Sequence, residues 1–336
     1  MFKVLITDYR WPSLDVEREV LGSLPAELIV AETGQEDELV RLAPEADAIL
    51  TCWDLVTEKV IDAAPNCRII TRYGVGLDNI AIDHATRLGI PVTYSPTYCL
   101  DEVAEHAIGL FFALGRRIAQ FDRTLRGGAY PGVPFKGMRR MAGRTLGLLG
   151  YGNIARALAQ RARALGLRVI AHDPHLKAFP DDGPGNSTEA VALEALLTRS
   201  DMVSLHMPLT GETGGMVNAD FLARMKPGAF LVNTAGGALV VLDDLYAALE
   251  QGASGKGPLA GAALDVYPQE PPDLAHPIFA HPHFIATPHA AFYSEESVEN
   301  LQRLAAGQVR ALLSGGTPEN IVNPDYVNHR PRYSPD

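Results

Sequence analysis

The stretch from Thr145 to Asp173 constrains the fold more than any other part of this chain. Thr145-Leu146-Gly147-Leu148-Leu149 reads as a short buried strand and runs directly into Gly150-Tyr151-Gly152-Asn153-Ile154-Ala155. A helical pattern follows, apolar at Ala155, Leu158, Ala159, Ala162 and Leu165. The next strand, Arg168 to His172, ends in Asp173. A GxGxxA string alone is weak. Set between a strand and a helix, with a carboxylate 18 positions after Ala155, it reads as a dinucleotide-binding turn. Gly150 permits the tight turn, Gly152 lets main chain approach a pyrophosphate, and Ala155 allows close helix–strand packing. The helix N-terminus offers its unpaired N–H groups to the phosphates, with Tyr151, Asn153 and Ile154 completing the cofactor loop. Asp173 is placed to accept from the adenosine ribose hydroxyls and to repel a 2′-phosphate, which favours NAD over NADP. Lys177 and Arg168 lie close in sequence and weaken that preference.

The rest of the chain repeats the same alternation. Strands are expected at Val4–Ile6, Glu27–Ala31, Ala48–Leu50, Arg68–Thr71 and Pro91–Tyr94, with helices at Leu14–Leu24, Glu36–Leu42, Thr57–Ala64 and Ile82–Leu88. One long helix is expected from Asp101 to about Arg126. A second series has six strands, at Thr145–Leu149, Arg168–His172, Met202–His206, Phe230–Asn233, Gly261–Asp265 and Phe284–Thr287. A helix at Val298–Leu313 precedes a polar tail, from Asn323, that is expected to be poorly ordered. The implied class is α/β: two doubly wound parallel-sheet domains, flavodoxin-like and Rossmann, with the active site in the cleft between them. The expected boundaries are 1–100 plus 292–336 for the substrate domain, and 101–291 for the NAD-binding domain.

Composition removes other classes. The 336 residues carry 29 Lys plus Arg against 40 Asp plus Glu, a formal charge of −11. Broad affinity for nucleic acid needs a basic footprint, so no nucleic-acid partner is expected. The longest apolar run, Ala107 to Leu114, is far short of a membrane span, so no membrane partner is expected either. Cys52, Cys67 and Cys99 have no paired spacing, which suits a reducing, cytoplasmic setting. His276, His281, His283 and His289 lie close together, but Pro277, Pro282 and Pro288 interrupt them and no metal is expected.

Several strings then resemble the D-isomer-specific 2-hydroxyacid dehydrogenase family, in particular its C-terminal-binding-protein-like branch. They are Arg72 to Asn79, Asp101 to His106, Gly150 to Ala155, Ser204 to Thr210, Ala263 to Val266 with Glu270-Pro271, and Thr287 to Ala291. The resemblance implies hydride transfer between NAD and a small anionic 2-hydroxy or 2-keto acid, with His289 as acid/base and Glu270 as its hydrogen-bond partner. Imidazole titrates near neutral pH, and a neighbouring carboxylate stabilises imidazolium, so the pair suits that chemistry. Alone, His289 reads as a loop histidine and Glu270 as a solvated charge; in this order and context they read as a catalytic pair.

The resemblance also implies that main-chain N–H groups of Val75 and Gly76 hold the substrate carboxylate. Thr97, Thr234, Ala235 and Asp265 would line the nicotinamide, with Asp265 accepting from its carboxamide. His206, Pro208 and Thr213 would line the adenosine. One position departs. Gly236 stands where the family has the arginine that grips the substrate carboxylate, and Val241 where an aspartate is common. No glycine replaces a guanidinium's bidentate pairing. Arg72, Lys136, Arg139 and Arg140 are the candidate replacements. The stretch Gly252 to Gly257, longer than usual for its place, reads as a flexible loop rather than a phosphate loop. A homodimer is expected through the helix from Asp101, whose Leu110, Phe111, Phe112 and Leu114 exceed what one helical face needs. The alternative is an NAD(H)-binding dimeric module with weak catalysis that acts through protein association.

Overall fold

A computed structural model describes residues 1–130, 132, 138–176, 178–179, 187–255 and 257–330. The chain forms two units, Met1–Cys99 with Tyr293–Asp336, and Leu100–Phe292. Lys136, Lys177 and Lys256 lie outside the described residues.

In the first unit β1 (Phe2–Ile6), α1 (Asp15–Leu21), β2 (Ala26–Val30), α2 (Glu36–Leu42) and β3 (Ala48–Thr51) follow one another. They are succeeded by α3 (Glu58–Asp62), β4 (Ile69–Arg72), α4 (Ile82–Arg87) and β5 (Val92–Thr93). The five strands are parallel in the order β2-β1-β3-β4-β5, which is flavodoxin-like. β3 and β4 are buried at every position, because helices cover both faces of such a sheet.

The second unit opens with α5 (Leu100–Gly115) and α6 (Ile118–Arg126), then β6 (Thr145–Leu149), α7 (Asn153–Ala164), β7 (Arg168–His172) and β8 (Glu189–Ala190). It continues through α8 (Leu193–Arg199), β9 (Met202–Leu205), α9 (Ala219–Ala223), β10 (Ala229–Asn233), α10 (Leu242–Ala253), β11 (Leu259–Leu264) and β12 (Phe284–Ala286). Its parallel sheet runs β12-β11-β10-β9-β6-β7-β8, the Rossmann order extended by one strand. Seven strands replace the expected six, because β8 is a two-residue edge strand too short to show a pattern. The strand order reverses between β6 and β9, and the crevice outside their carboxyl ends is where such sheets bind ligands.

The long helix expected from Asp101 is two helices. Arg117, in the left-handed region at φ 54°, separates α5 from α6. Gly115, a poor helix former and the last residue of α5, is the local signal of the break, while arginine itself favours helix. Gly115 also packs closely: a Cβ there would stand 2.6 Å from the Met141 sulfur. The apolar residues expected to face a second copy are also spent within the unit. Leu110, Phe111 and Leu114 are buried in a core with Leu158, Ala159 and Ala162 of α7, and Phe112 packs against it. Arg161 of α7 reaches back to Asp101 and Glu105 at 2.7 and 3.2 Å, tying the two helices together.

The last α-helix, α11 (Glu295–Leu313) of the first unit, packs Leu301, Ala305 and Val309 with Leu14 and Leu21. The start of the tail is anchored where disorder was expected, and residues 331–336 of it lie outside the described residues. Asn323 is buried; its Oδ1 accepts from the Val92 N–H at 2.7 Å and its Nδ2 donates to Thr86 and Ile90. Gly252 to Gly257 is likewise hydrogen-bonded, with Gly255 N–H donating to Gly252 and Gly257 N–H to Gln251.

Candidate active site

The carboxyl ends of five strands in the second unit carry most of the candidate residues. β6 leads into Gly150, β9 into His206, β10 into Thr234, β11 into Asp265 and β12 into His289. Gly150 has φ 89°, and a Cβ there would stand 2.7 Å from the His206 carbonyl oxygen, so only glycine makes this turn. Gly152 precedes α7 with open space around it, and neither a side-chain cap nor an acidic residue blocks the first turn of that helix. Asn153 is exposed and Ile154 partly so. Tyr151 differs: its ring is buried and stacked on Phe179, so only its main chain is offered at the loop. Its N–H donates to Asp173 Oδ2 at 2.9 Å, and the His175 N–H donates to Oδ1 at 3.0 Å. Asp173 thus points back at the glycine loop, with acceptor capacity left on each oxygen.

Two buried polar atoms at this edge lack protein partners: His206 Nε2 and Thr234 Oγ1. Buried polar groups are normally paired, so both fit a polar ligand such as a dinucleotide. Burial pushes the His206 imidazole down to about 4, leaving it neutral and able to line an adenosine without adding charge. Thr213 is turned inward on its own loop, donating to Pro208 O and accepting from Thr210 N–H. Pro208 and Ala235 are exposed. These residues fit a bound NAD at the Rossmann switch point.

His289 Nδ1 stands 2.7 Å from Glu270 Oε2, and Glu270 Oε1 accepts from the Tyr267 N–H at 2.9 Å. Burial pushes the Glu270 carboxyl up, but the hydrogen bonds from His289 and Tyr267 outweigh it and hold it below its ordinary value. Glu270 is therefore ionised and fixes His289 by one ring nitrogen. His289 itself has φ 55°, an uncommon backbone for a non-glycine residue.

Asp265 explains that backbone. Its side chain is 1% exposed and accepts from Thr287 Oγ1, Ala290 N–H and Ala291 N–H at 2.5, 2.9 and 2.8 Å. That carboxylate supports the loop that carries His289. His106 of α5 joins the cluster through Thr287 Oγ1 at 3.0 Å. Tyr267, buried beside it, donates from its hydroxyl to the carbonyls of Leu264 and Thr287. Burial, reinforced by the Asp265 and Glu270 charges, pushes that hydroxyl up to about 12, so it remains a donor. Sequence reasoning assigned no role to Tyr267, Thr287 or His106. His106 and Thr287, each inside a string already singled out, left a trace; Tyr267 left none.

Around Gly236 the chain is held by Asn233, whose Oδ1 accepts from the Ala235 and Gly236 N–H groups and whose Nδ2 donates to Gly236 O. Gly236 has an extended backbone, and a Cβ there would meet Leu239 and Leu209 at ordinary contact distances of 3.5 to 3.7 Å. Nothing local demands glycine. Gly237 is the opposite case: a Cβ would lie 1.9 Å from the Tyr267 carbonyl oxygen.

The candidate replacement cations separate clearly. Arg139 lines a cavity with Arg144, Asp201 and Gly228, which precede strands and so sit at the amino ends of the sheet, away from His289. Arg140 accepts there through its carbonyl from Arg144. In the first unit, Arg72 ends β4 with its guanidinium over the Trp53 ring at 5.6 Å and its buried Nε unpartnered. Gly74 has φ 145°; Val75 after it is 40% exposed and Gly76 is open at the surface, so both main chains are accessible. Thr97 is exposed in the same unit. The clustered histidines go to separate carboxylates: His276 to Asp243 at 3.0 Å and His281 to Glu250 at 3.3 Å. Among the described residues no helix is long and apolar enough to cross a membrane.

Residues 108–291 match the model of the D-isomer specific 2-hydroxyacid dehydrogenase, NAD binding domain. Glyoxylate reductase of Thermofilum pendens is 37% identical over 299 residues, which cover 88% of this chain and 86% of the relative. D-3-phosphoglycerate dehydrogenase of Mycobacterium tuberculosis is 37% identical over 288 residues, 85% of this chain and 53% of that longer protein. D-lactate dehydrogenase from Aquifex aeolicus, solved with NAD and lactic acid, superposes with a TM-score of 0.82 at 27% identity, covering 96% of this chain and 99% of that one.

Proposed function

This chain belongs to the D-isomer-specific 2-hydroxyacid dehydrogenase family, and on that premise we propose that it interconverts a small 2-keto acid and its 2-hydroxy acid. The observation that carries the reading is the 2.7 Å contact between His289 and Glu270 at the carboxyl edge of the Rossmann sheet. With Nδ1 held by Glu270, proton exchange with the substrate oxygen falls to Nε2 of His289. In the reducing direction the carbonyl carbon gains a hydride and its oxygen gains the His289 proton, so charge balances at the alkoxide. When bound, the nicotinamide supplies or accepts that hydride. The Gly150 turn, the N-terminus of α7 and Asp173 hold the dinucleotide, and Asp173 favours NAD.

Substrate anchoring is the weak point. Main-chain N–H groups at Val75 and Gly76 are assigned to the carboxylate, and Arg72, buried at the end of β4 with a donor on the Tyr73 carbonyl, is the candidate of the first unit for replacing the family arginine. The Gly236 departure also favours a second reading, an NAD(H)-binding module that acts through protein association. A panel of 2-keto acids with NADH separates the two. Turnover that falls on Arg72→Ala supports the enzyme with a relocated cation. Tight NADH binding without turnover of any keto acid supports the module. Asp173→Ala should weaken NADH binding and narrow its preference over NADPH; tighter NADPH binding by the unmodified chain would overturn the cofactor assignment.

A further inference from the structure

The loop to which the substrate carboxylate is assigned has little of its own to hold it. Among the described residues the N–H groups of Val75 and Gly76 make no hydrogen bond, so their place is set by the residues on either side. On the near side stands Tyr73, between Arg72 and Gly74. Its N–H donates to the Thr51 carbonyl at 2.8 Å, and its carbonyl accepts from the Arg72 guanidinium and, at 3.8 Å, from the Cys52 thiol. Its ring runs into the core of the first unit, 1% exposed and edge-on to Trp11 with ring centres 4.8 Å apart. There its hydroxyl donates to Glu17 Oε1 of α1 at 3.0 Å. Glu17 Oε2 accepts from Gln302 Nε2 of α11 at 2.7 Å, and the same amide donates to the Ser13 carbonyl at 3.1 Å. One hydroxyl thus ties the loop to two helices.

Glu17 is fully buried, and among the described residues no Lys, Arg or His pairs with its carboxyl. Burial pushes that carboxyl above its ordinary value, and the hydrogen bonds from Gln302 and Tyr73 offset only part of the rise. A buried carboxyl without a cation is costly, and an apolar side chain of the same size fills such a space at less cost. Packing therefore does not account for Glu17. Direction does, because its two oxygens fix one hydroxyl and one amide in defined places. Burial, and then the Glu17 charge, hold the Tyr73 hydroxyl well above its ordinary value, so it stays a donor. Beyond Tyr73, a Cβ on Gly74 would stand 2.9 Å from the Arg72 guanidinium. Guanidinium and loop main chain lie against each other, and a shift of Tyr73 moves both. We propose that Glu17 and Gln302 are positioning residues, which act through the Tyr73 hydroxyl on the loop from Arg72 to Gly76. They thereby set the affinity for the substrate, a role that rests on the assignment of its carboxylate to Val75 and Gly76.

The test is steady-state kinetics of the full chain with NADH and the keto acid it turns over best. NADH binding, thermal melting and hydrogen exchange of residues 72–79 are measured beside it. The deciding variant is Glu17→Leu combined with Tyr73→Phe. It replaces both partners of one buried hydrogen bond by apolar groups, so it should melt close to the unmodified chain. Expected is a KM raised about tenfold or more, with kcat within about twofold and NADH affinity unchanged. Exchange in 72–79 should quicken in the same variant. Glu17→Gln keeps an acceptor for the Tyr73 hydroxyl and should hold KM within about threefold of the unmodified value. Arg303→Ala, which breaks the exposed pair with Glu19 between the same two helices, should change none of these. An unchanged KM in the double variant, or an equal rise in Arg303→Ala, would overturn the proposal. So would a lower melting temperature matched by losses in kcat and NADH affinity, the mark of general damage. Should the unmodified chain turn over no keto acid, the enzyme reading fails and exchange decides alone. Faster exchange confined to 72–79 in the double variant then supports the positioning role, and unchanged exchange overturns it.

Discussion

The main-chain N–H of His289 donates to the carbonyl oxygen of Asp265 at 2.8 Å, so the residue that carries the imidazole is pinned to the end of β11. The Asp265 carboxylate then takes up the Ala290 and Ala291 N–H groups on the far side of the same residue. One buried aspartate therefore holds the loop before and after His289. The left-handed backbone of His289 costs about 1–2 kcal/mol in the absence of such support.

Removing that support should cost both stability and rate. In Asp265→Ala, the Thr287 hydroxyl and two main-chain N–H groups lose their acceptor, a loss of about 2–4 kcal/mol. Thermal melting should fall by several degrees, and kcat should fall with it. An unchanged melting temperature with weakened NADH binding alone would assign Asp265 a cofactor role.

Glu270→Gln should lower kcat/KM on the order of a hundredfold while leaving NADH affinity nearly unchanged, because the amide no longer orients and charge-balances the imidazole. The pH dependence carries a sign. Glu270 is held below its ordinary value of 4.5, so its contribution to stability is present above that value and is lost as pH falls through the lower folded value. Melting curves from pH 6 to about pH 3 should show this acid-side loss in the unmodified chain and a smaller one in Glu270→Gln. Equal losses in both would contradict the assignment.

The adjacent glycines should respond in opposite ways. Gly236→Arg has room for its Cβ, and should raise kcat/KM for a simple keto acid by about two to three orders of magnitude, the worth of an oxyanion-stabilising donor. Gly237→Ala drives a methyl into the Tyr267 carbonyl and should destabilise by about 3 kcal/mol or more. A drop in activity on Gly236→Arg would mean that the space at this position serves a bulkier substrate.

A homodimer, if formed by the second unit, should use residues other than those the sequence pointed to. Ile118 is 58% and Leu125 52% exposed, seven positions apart on one side of α6. Ile118→Asp with Leu125→Asp should convert a dimeric mass to a monomeric one in light scattering at micromolar concentration. An unaffected dimer would place the interface elsewhere.

The sequence by itself determined the two sheets and the dinucleotide turn, because both rest on local rules. Strands buried on both faces carry short apolar runs such as Ala48-Ile49-Leu50 and Ile69-Ile70, and Gly150 is required by its own φ and by the carbonyl it approaches. The pairing of His289 with Glu270 was legible only through the motifs shared with the family, since alone each reads as an ordinary loop residue. Tertiary structure alone decided the rest. The break at Arg117 was only weakly marked, because Gly115 disfavours helix while the arginines after it favour it, and one glycine does not say where a helix stops. Asp265, Thr287 and His106 meet across 181 residues of sequence, and no spacing rule encodes a hydrogen bond at that separation. The fate of Leu110, Phe111 and Leu114 was likewise undecided until α7 lay against them. An apolar face shows that something covers it, and only packing shows what.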